Sequence, residues 1–282
     1  MAMIVLGSLG HGPGVTTTAV ALTLGWHRRV LLVEADTATT SSVLAGRFRG
    51  QVHHTVGLTN LSAAAARGDL TADEVLEQSL ELGPDRHVLP GFAGLGAARG
   101  ADAFWQPFTE TIAPLEEQSI DVLVDVGRIH AGSRRNVLLT HADLVVVATG
   151  ATLPDIAALI APVDPTTTAL DEVRAIQRDA EGDGQLALVV IDRARENYAP
   201  REIEQVAKAP VIGHLPWSPE AAAVFSLGAP ETRKGRDGLT RPIASLARSM
   251  QEHLDAGGPP TAEAADPLAA AAEAELREVD RP

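Results

Sequence analysis

The sequence contains no cysteine, which removes disulfide frameworks, thiolate nucleophiles and Cys-ligated zinc or iron–sulfur centres from consideration. Lysine is nearly missing as well: Lys208 and Lys234 are the only two, against 21 arginines. Aromatic residues are 3% of the chain and hydrophobic residues 45%, so the core is expected to consist of Ala, Val and Leu rather than stacked rings. No uninterrupted apolar run approaches the roughly 18–20 residues of a spanning helix. Those present, such as the one near residues 142–148, are strand-sized. The first residues lack the basic start and longer apolar stretch of a signal peptide. A soluble, cytoplasmic protein is expected. Basic charge is in deficit too: 23 Lys plus Arg face 37 Asp plus Glu, a formal charge of −14 over 282 residues. That balance argues against a broad nucleic-acid surface.

Several familiar site chemistries are absent. Of the nine histidines only His53 and His54 are close, and no His-x-x-x-His or His-Glu-x-x-His spacing occurs, which argues against a catalytic zinc site. There is no Gly-x-Ser-x-Gly elbow for a serine hydrolase. Gly10, Gly12 and Val15 miss the third glycine of a dinucleotide fingerprint, and Glu34 follows the loop too early to be its ribose-binding acid.

What the sequence does have is alternation. Short apolar runs at residues 3–8, 30–34, 87–90, 120–126, 144–148, 186–191 and 210–215 read as strands buried on both faces. Between them, helices are expected at 15–25, 60–67, 72–82, 103–118, 134–140, 170–180, 201–208 and 239–254. This order predicts an α/β fold, a doubly wound and mostly parallel sheet with helices on both faces; a mixed α+β sheet is the alternative. One domain is expected over residues 1–254. Residues 255–282 carry a Gly-Gly-Pro-Pro segment, an Ala/Glu run, no aromatics and a net charge of −5, so they are read as an acidic disordered tail, with a transient helix at 268–279. That helix lacks the basic face and aromatic anchors of a membrane-binding segment, so no membrane anchor is expected.

Three segments carry the chemistry. The first is the strand at 3–7 followed by Ser8-Leu9-Gly10-His11-Gly12-Pro13-Gly14-Val15-Thr16-Thr17-Thr18 and a helix. Glycines there let backbone N–H groups approach an anion, the helix N-terminus adds about half a positive charge, and hydroxyls in the first turn suit a magnesium ion. An ordinary Gly-rich turn capped by Thr16 has the same appearance. The second is Val33-Glu34-Ala35-Asp36, whose two carboxylates at a strand's C-terminal end are expected to share a face and point into the crevice. The third is Asp121-Val122-Leu123-Val124-Asp125-Val126-Gly127, an apolar strand ending in an acid of the kind that holds a magnesium shell.

In this order the three segments resemble the ParA/MinD family of deviant Walker-type P-loop ATPases. The family's loop, S-G-K-G-G-V-G-K-T-T, aligns with Ser8–Thr17 without a gap, its V-D-A-D strand with Val33–Asp36, and its Walker B strand with Val122–Gly127. Weaker similarity covers residues 58–76, 88–91, 142–149, 188–193 and 211–216, so the resemblance spans roughly residues 1–250. It implies ATP or ADP with magnesium as ligands, a nucleotide-binding set of Gly10, His11, Gly12, Pro13, Gly14, Val15, Thr16, Thr17, Asp192 and Pro216, a metal set of Thr16, Asp36 and Asp125, and Asp36 as the residue that positions attacking water. It also implies a homodimer and a protein partner.

The departures from the family bear on mechanism. Its Walker lysine falls on Val15, its signature lysine on Gly10, the loop's first glycine on Leu9, and its adenine-contacting Asn on Asp192. Losing two cations of this kind removes charge stabilisation worth about 3–4 kcal/mol each. Arg128, Arg134 and Arg135 are the candidate substitutes, since a guanidinium is always charged and forks onto phosphate; taken singly, each reads as an exposed salt-bridging arginine. The expected function is a bacterial nucleotide-responsive or pseudo-ATPase switch serving a larger assembly, pilus, secretion or septum related. An ATPase for cargo segregation using an arginine, and a dimer scaffold without nucleotide, are the rivals. The charge of −14 disfavours DNA segregation, and the acidic tail disfavours membrane cycling.

Overall fold

The computed structural model describes residues 2–10, 14–178, 185–193, 198–230, 232 and 236–257. Eight strands form one sheet: β1 (Met3–Ser8), β2 (Val30–Glu34), β3 (Leu80–Gly83), β4 (Arg86–Leu89), β5 (Asp121–Arg128), β6 (Leu144–Thr149), β7 (Gln185–Asp192) and β8 (Val211–Pro216), in the order β3-β4-β2-β5-β1-β6-β7-β8. All neighbours pair parallel except β3 with β4. The seven runs read as strands are strands, each within two residues of the expected bounds. The eighth, β3, falls where a helix was expected to continue to residue 82. Helix α3 (Ala72–Glu77) instead stops early, and the chain returns through a tight hairpin at Pro84–Asp85, Asp85 adopting a left-handed φ of 60°.

The interior strands bury both faces because helices cover both, whereas the edge strands β3 and β8 are only partly covered. On one face, α1 (Val15–Gly25), α10 (Pro219–Ser226) and α11 (Arg241–Asp255) pack on Ile4, Leu6, Leu32, Leu123 and Val146. On the other, α2 (Leu58–Arg67), α3, α4 (Leu95–Arg99), α5 (Trp105–Ile112), α6 (Val137–Thr140), α7 (Leu153–Leu159), α8 (Ala169–Arg178) and α9 (Pro200–Ala207) pack on Val5, Val33, Val124 and Val190. The doubly wound α/β reading therefore holds. Rings are few but gathered: Phe92, Phe104, Trp105 and Phe108 form one buried cluster. At the opposite end of the sheet from the strand C-termini, buried Asp121 accepts from Ala2 N at 2.9 Å and Trp26 Nε1 at 2.7 Å, and pairs with Arg28 Nε at 3.0 Å. This ties the start of β1 to β5 and to the end of α1. Helix α11 runs to Asp255, and residues 258–282, which include nearly all of the expected acidic tail, lie outside the described residues. Among the described residues no helix is long and apolar enough to cross a membrane.

Candidate functional site

The C-terminal ends of β2, β5 and β1 lie side by side: Glu34 is in register with Asp125, and Asp125 with Leu6. Position along the strands thus brings the second and third sequence segments to the mouth of the first. Helix α1 begins directly after the loop, with Gly14 at its N-cap in the left-handed region (φ 73°) and Thr18 N donating to Gly14 O at 2.9 Å. His11, Gly12 and Pro13 lie outside the described residues.

Asp125 is the centre of the site. It is buried, accepts from Gly127 N at 2.8 Å and from the Thr16 hydroxyl, and its carboxyl is pushed up to about 6. Burial is the main cause, the Asp36 charge adds to it, and the two hydrogen bonds and Arg135 oppose it. Asp36 sits just past β2, accepts from Ala38 N at 2.9 Å, and lays its carboxylate against Gly127. A Cβ at Gly127 would collide with that carboxylate, and the backbone there has φ of 60°, so both sterics and conformation require glycine. Thr16, Asp36 and Asp125, expected as the metal set, are therefore brought together.

Glu34 does not share this role. Its carboxylate is instead engaged by the Ser41 hydroxyl, by Val43 N at 3.0 Å and by Gly91 N at 3.4 Å, all of which donate to it. Burial drives the Glu34 carboxyl up to about 7. It pins the segment that follows Asp36, including the π-helical turn Val43–Arg47.

Arg135 is the residue that sequence reasoning misplaced. It is buried rather than exposed, with Nη1 donating to Ala35 O at 2.7 Å and Val126 O at 2.8 Å, and Nη2 to Arg128 O at 3.4 Å. Its charge faces Asp36 and Asp125, and burial lowers its pKa against their pull. The short 3-10 turn Arg134–Asn136 points one of the two adjacent arginines inward and leaves Arg134 outward, a choice no local sequence pattern announces.

The lysine positions are also accounted for. Val15 is buried in the core beneath α1, and a Cβ at Gly10 would lie 3.0 Å from Ala158 Cβ on α7. On the far side, Asp192 and Pro216 are in register on β7 and β8, two and three strands from β1, or about 10–14 Å at normal strand spacing. Asp192 is paired with His214 Nε2 at 2.5 Å. Sequence reasoning missed the group between these two ends. Asp155 caps α7 through Thr152, lies against Gly150 and accepts from Arg193 Nη2 at 2.6 Å. Among the described residues no three His, Asp or Glu side chains converge to hold a metal by themselves. Two carboxylates and a hydroxyl are instead the donor set by which Mg²⁺ is held together with a phosphate.

No protein-family model matches the sequence, and no curated protein matches it. Solved structures do match in fold. A ParA family ATPase from Chlorobium tepidum superposes with a TM-score of 0.65 at 16% identity, covering 88% of this chain and 98% of that one. The septum site-determining protein MinD of Pyrococcus horikoshii, complexed with Mg-ADP, gives 0.64 at 16% identity over 92% and 99%. The Cyanothece McdA(D38A)–ATP complex gives 0.66 at 17% identity over 89% and 96%. The chain therefore has the fold of the ParA and MinD ATPases over nearly their whole length.

Proposed function

We propose that this protein is a nucleotide-responsive switch of the ParA/MinD kind, binding ATP or ADP with magnesium and hydrolysing ATP at or near background. In this reading it positions or regulates a larger cellular assembly, pilus, secretion or septum related. The carrying observation is the convergence of the Thr16 hydroxyl, Asp125 and Asp36 at the N-terminus of α1, next to a loop with no lysine. The Mg-ADP and ATP complexes of the P. horikoshii and Cyanothece proteins, which share this fold, support a nucleotide as the ligand. Magnesium, held by Thr16, Asp36 and Asp125, would supply counter-charge to the phosphates. Gly14 and the first turn of α1 would present backbone donors to the phosphates, and Asp192 with Pro216 would border the base. A dimer is expected to form without strong dependence on ATP, because the residue at the signature position, Gly10, has no side chain to cross to a second subunit.

Calorimetric titration of Mg·ATP, paired with phosphate-release assays, tests the reading. Binding without turnover supports the switch. Robust turnover abolished by Asp36→Ala overturns it in favour of a cargo-moving ATPase, and absence of any binding leaves only a scaffold. Sedimentation with and without Mg·ATP should give the same species.

A further inference from the structure

Neither lysine position of the loop carries a cation, so the charge of a bound polyphosphate must be met from elsewhere in the chain. Three arginines follow the Walker B-like carboxylate, and the structure separates their roles. Arg135 is spent on the Ala35, Val126 and Arg128 carbonyls, with its charge against Asp36 and Asp125. Arg134 lines an open cavity of about 960 Å³ with Gln106, His141 and Glu172, among α5, α6 and α8. These helices belong to the sheet face opposite α1.

Arg128 differs from both. It is exposed at the end of β5, in register with Ser8, and its Nη2 donates to the carbonyl of Leu9 at 3.5 Å. That long contact is the side chain's only hydrogen bond among the described residues, so most of the five N–H donors of the guanidinium are uncommitted. A second observation marks the same spot. Ser8 is fully buried, on the side of β1 that carries Leu6 and faces α1, and its Oγ has no hydrogen-bond partner among the described residues. A buried hydroxyl left unpaired is costly. Here it lies at the base of the loop that leads into the N-terminus of an 11-residue helix with no acidic residue in its first turn.

We propose that Arg128 provides the cationic contact to the terminal phosphates of the bound nucleotide, in place of the missing loop lysines, with the Ser8 hydroxyl as an unspent donor beneath it. The inference rests on the nucleotide reading above and adds to it the residue that meets the charge. A guanidinium held to a loop carbonyl by one nitrogen can turn its remaining fork onto an anion that arrives at that loop. Arg135 cannot do so without releasing three carbonyls.

The test uses the full chain, with Mg·ATP, Mg·ADP and sodium phosphate titrated calorimetrically into the natural protein, Arg128→Gln, Arg128→Lys and Arg134→Gln. Arg128→Gln is expected to weaken ATP about tenfold to a hundredfold, the effect of losing a charged hydrogen bond. ADP should weaken less, Arg128→Lys should recover part of the loss, and Arg134→Gln should stay within about twofold of the natural protein. Because Arg128 is exposed, its variants should melt with the natural protein. Unchanged ATP affinity in Arg128→Gln, or a loss confined to inorganic phosphate, overturns the assignment while leaving the nucleotide reading intact. Failure of the natural protein to bind ATP, ADP or phosphate overturns both.

Discussion

Replacing Arg135 by methionine keeps length and packing but removes the one buried cation among the described residues that faces Asp36 and Asp125. The structure gives the cost in two parts. The carbonyls of Ala35, Val126 and Arg128 lose their donors, and the carboxylates lose a counter-ion inside a site where Asp125 already resists ionisation. Breaking a buried pair from one side costs about 3–5 kcal/mol. At about 2–4 °C per kcal/mol for a chain of this size, the midpoint of thermal unfolding should fall by roughly 6–20 °C near neutral pH. The two parts separate with pH. Without Arg135 the Asp125 carboxyl, at about 6 in the natural protein, moves higher still, so acid neutralises the uncompensated charge. The loss should therefore shrink to about 1–3 kcal/mol near pH 5, where only the orphaned carbonyls remain. Urea unfolding followed by tryptophan fluorescence at about pH 8 and about pH 5 reads both values. A variant within about 1 kcal/mol of the natural protein at pH 8, or a loss equal at both pH values, would show that Arg135 is not the counter-ion of this site.

The Glu34 carboxyl stands at about 7 in the fold against an ordinary 4.5, so the native state holds a proton that the unfolded chain has released between those values. Stability should fall by about 3 kcal/mol as pH rises through that window, and Glu34→Gln should flatten this part of the curve in urea unfolding; parallel curves would sink the assignment. Asp121→Ala leaves the donors of Ala2, Trp26 and Arg28 unmatched at the base of the sheet and should cost about 3–5 kcal/mol, whereas Arg28→Ala, whose partner keeps two other donors, should cost clearly less by the same measurement. Restoring the loop with Val15→Lys and Gly10→Lys should strengthen Mg·ATP binding but lower the melting temperature, since position 15 is core and a Cβ at position 10 presses on Ala158; a variant as stable as the natural protein would refute the packing argument.

The fold was legible because its strands are continuous apolar runs, and a run such as Leu144–Thr149, buried along its whole length, suits only an interior position of a covered sheet. β3 was not, because Leu80-Glu81-Leu82-Gly83 continues the composition of the helix before it and is paired only through a hairpin turn. That Thr16, Asp36 and Asp125 come together was legible from their positions at strand ends and the start of a helix together with the family resemblance. Arg135 and Glu34 were not. The burial of one and the backbone partners of the other are set by contacts with segments distant in sequence, such as Ala35 for Arg135 and Gly91 for Glu34. Asp192, read as a base contact, also has a partner the sequence did not suggest, His214 on the neighbouring strand.

The placement of charge bears on what the site does with a nucleotide. Binding requires only that the summed field at the loop favour an anion; catalysis requires a cation whose interaction grows as charge moves during transfer. A loop lysine does the second, because its flexible ammonium can follow the phosphate oxygens. Arg135 cannot follow them. Its fork is fixed on Ala35, Val126 and Arg128 carbonyls and its charge is shared with two carboxylates, so it offers the same field before and during any transfer. What it does accomplish is to keep Asp36 and Asp125 from repelling an incoming phosphate, while the N-terminus of α1 supplies about half a unit of positive charge. Arg135 by itself therefore contributes a fixed field rather than a moving contact, and a cation that follows the phosphates must be another residue, as proposed for Arg128. The segment after Asp36, pinned through Glu34 to Ser41 and Val43, continues into the turn Val43–Arg47, where Arg47 Nη1 donates to Val224 O on α10 at 3.1 Å. Since α10 follows Pro216 at the end of β8, the segment after Asp36 and the end of β8 are joined through one packed path.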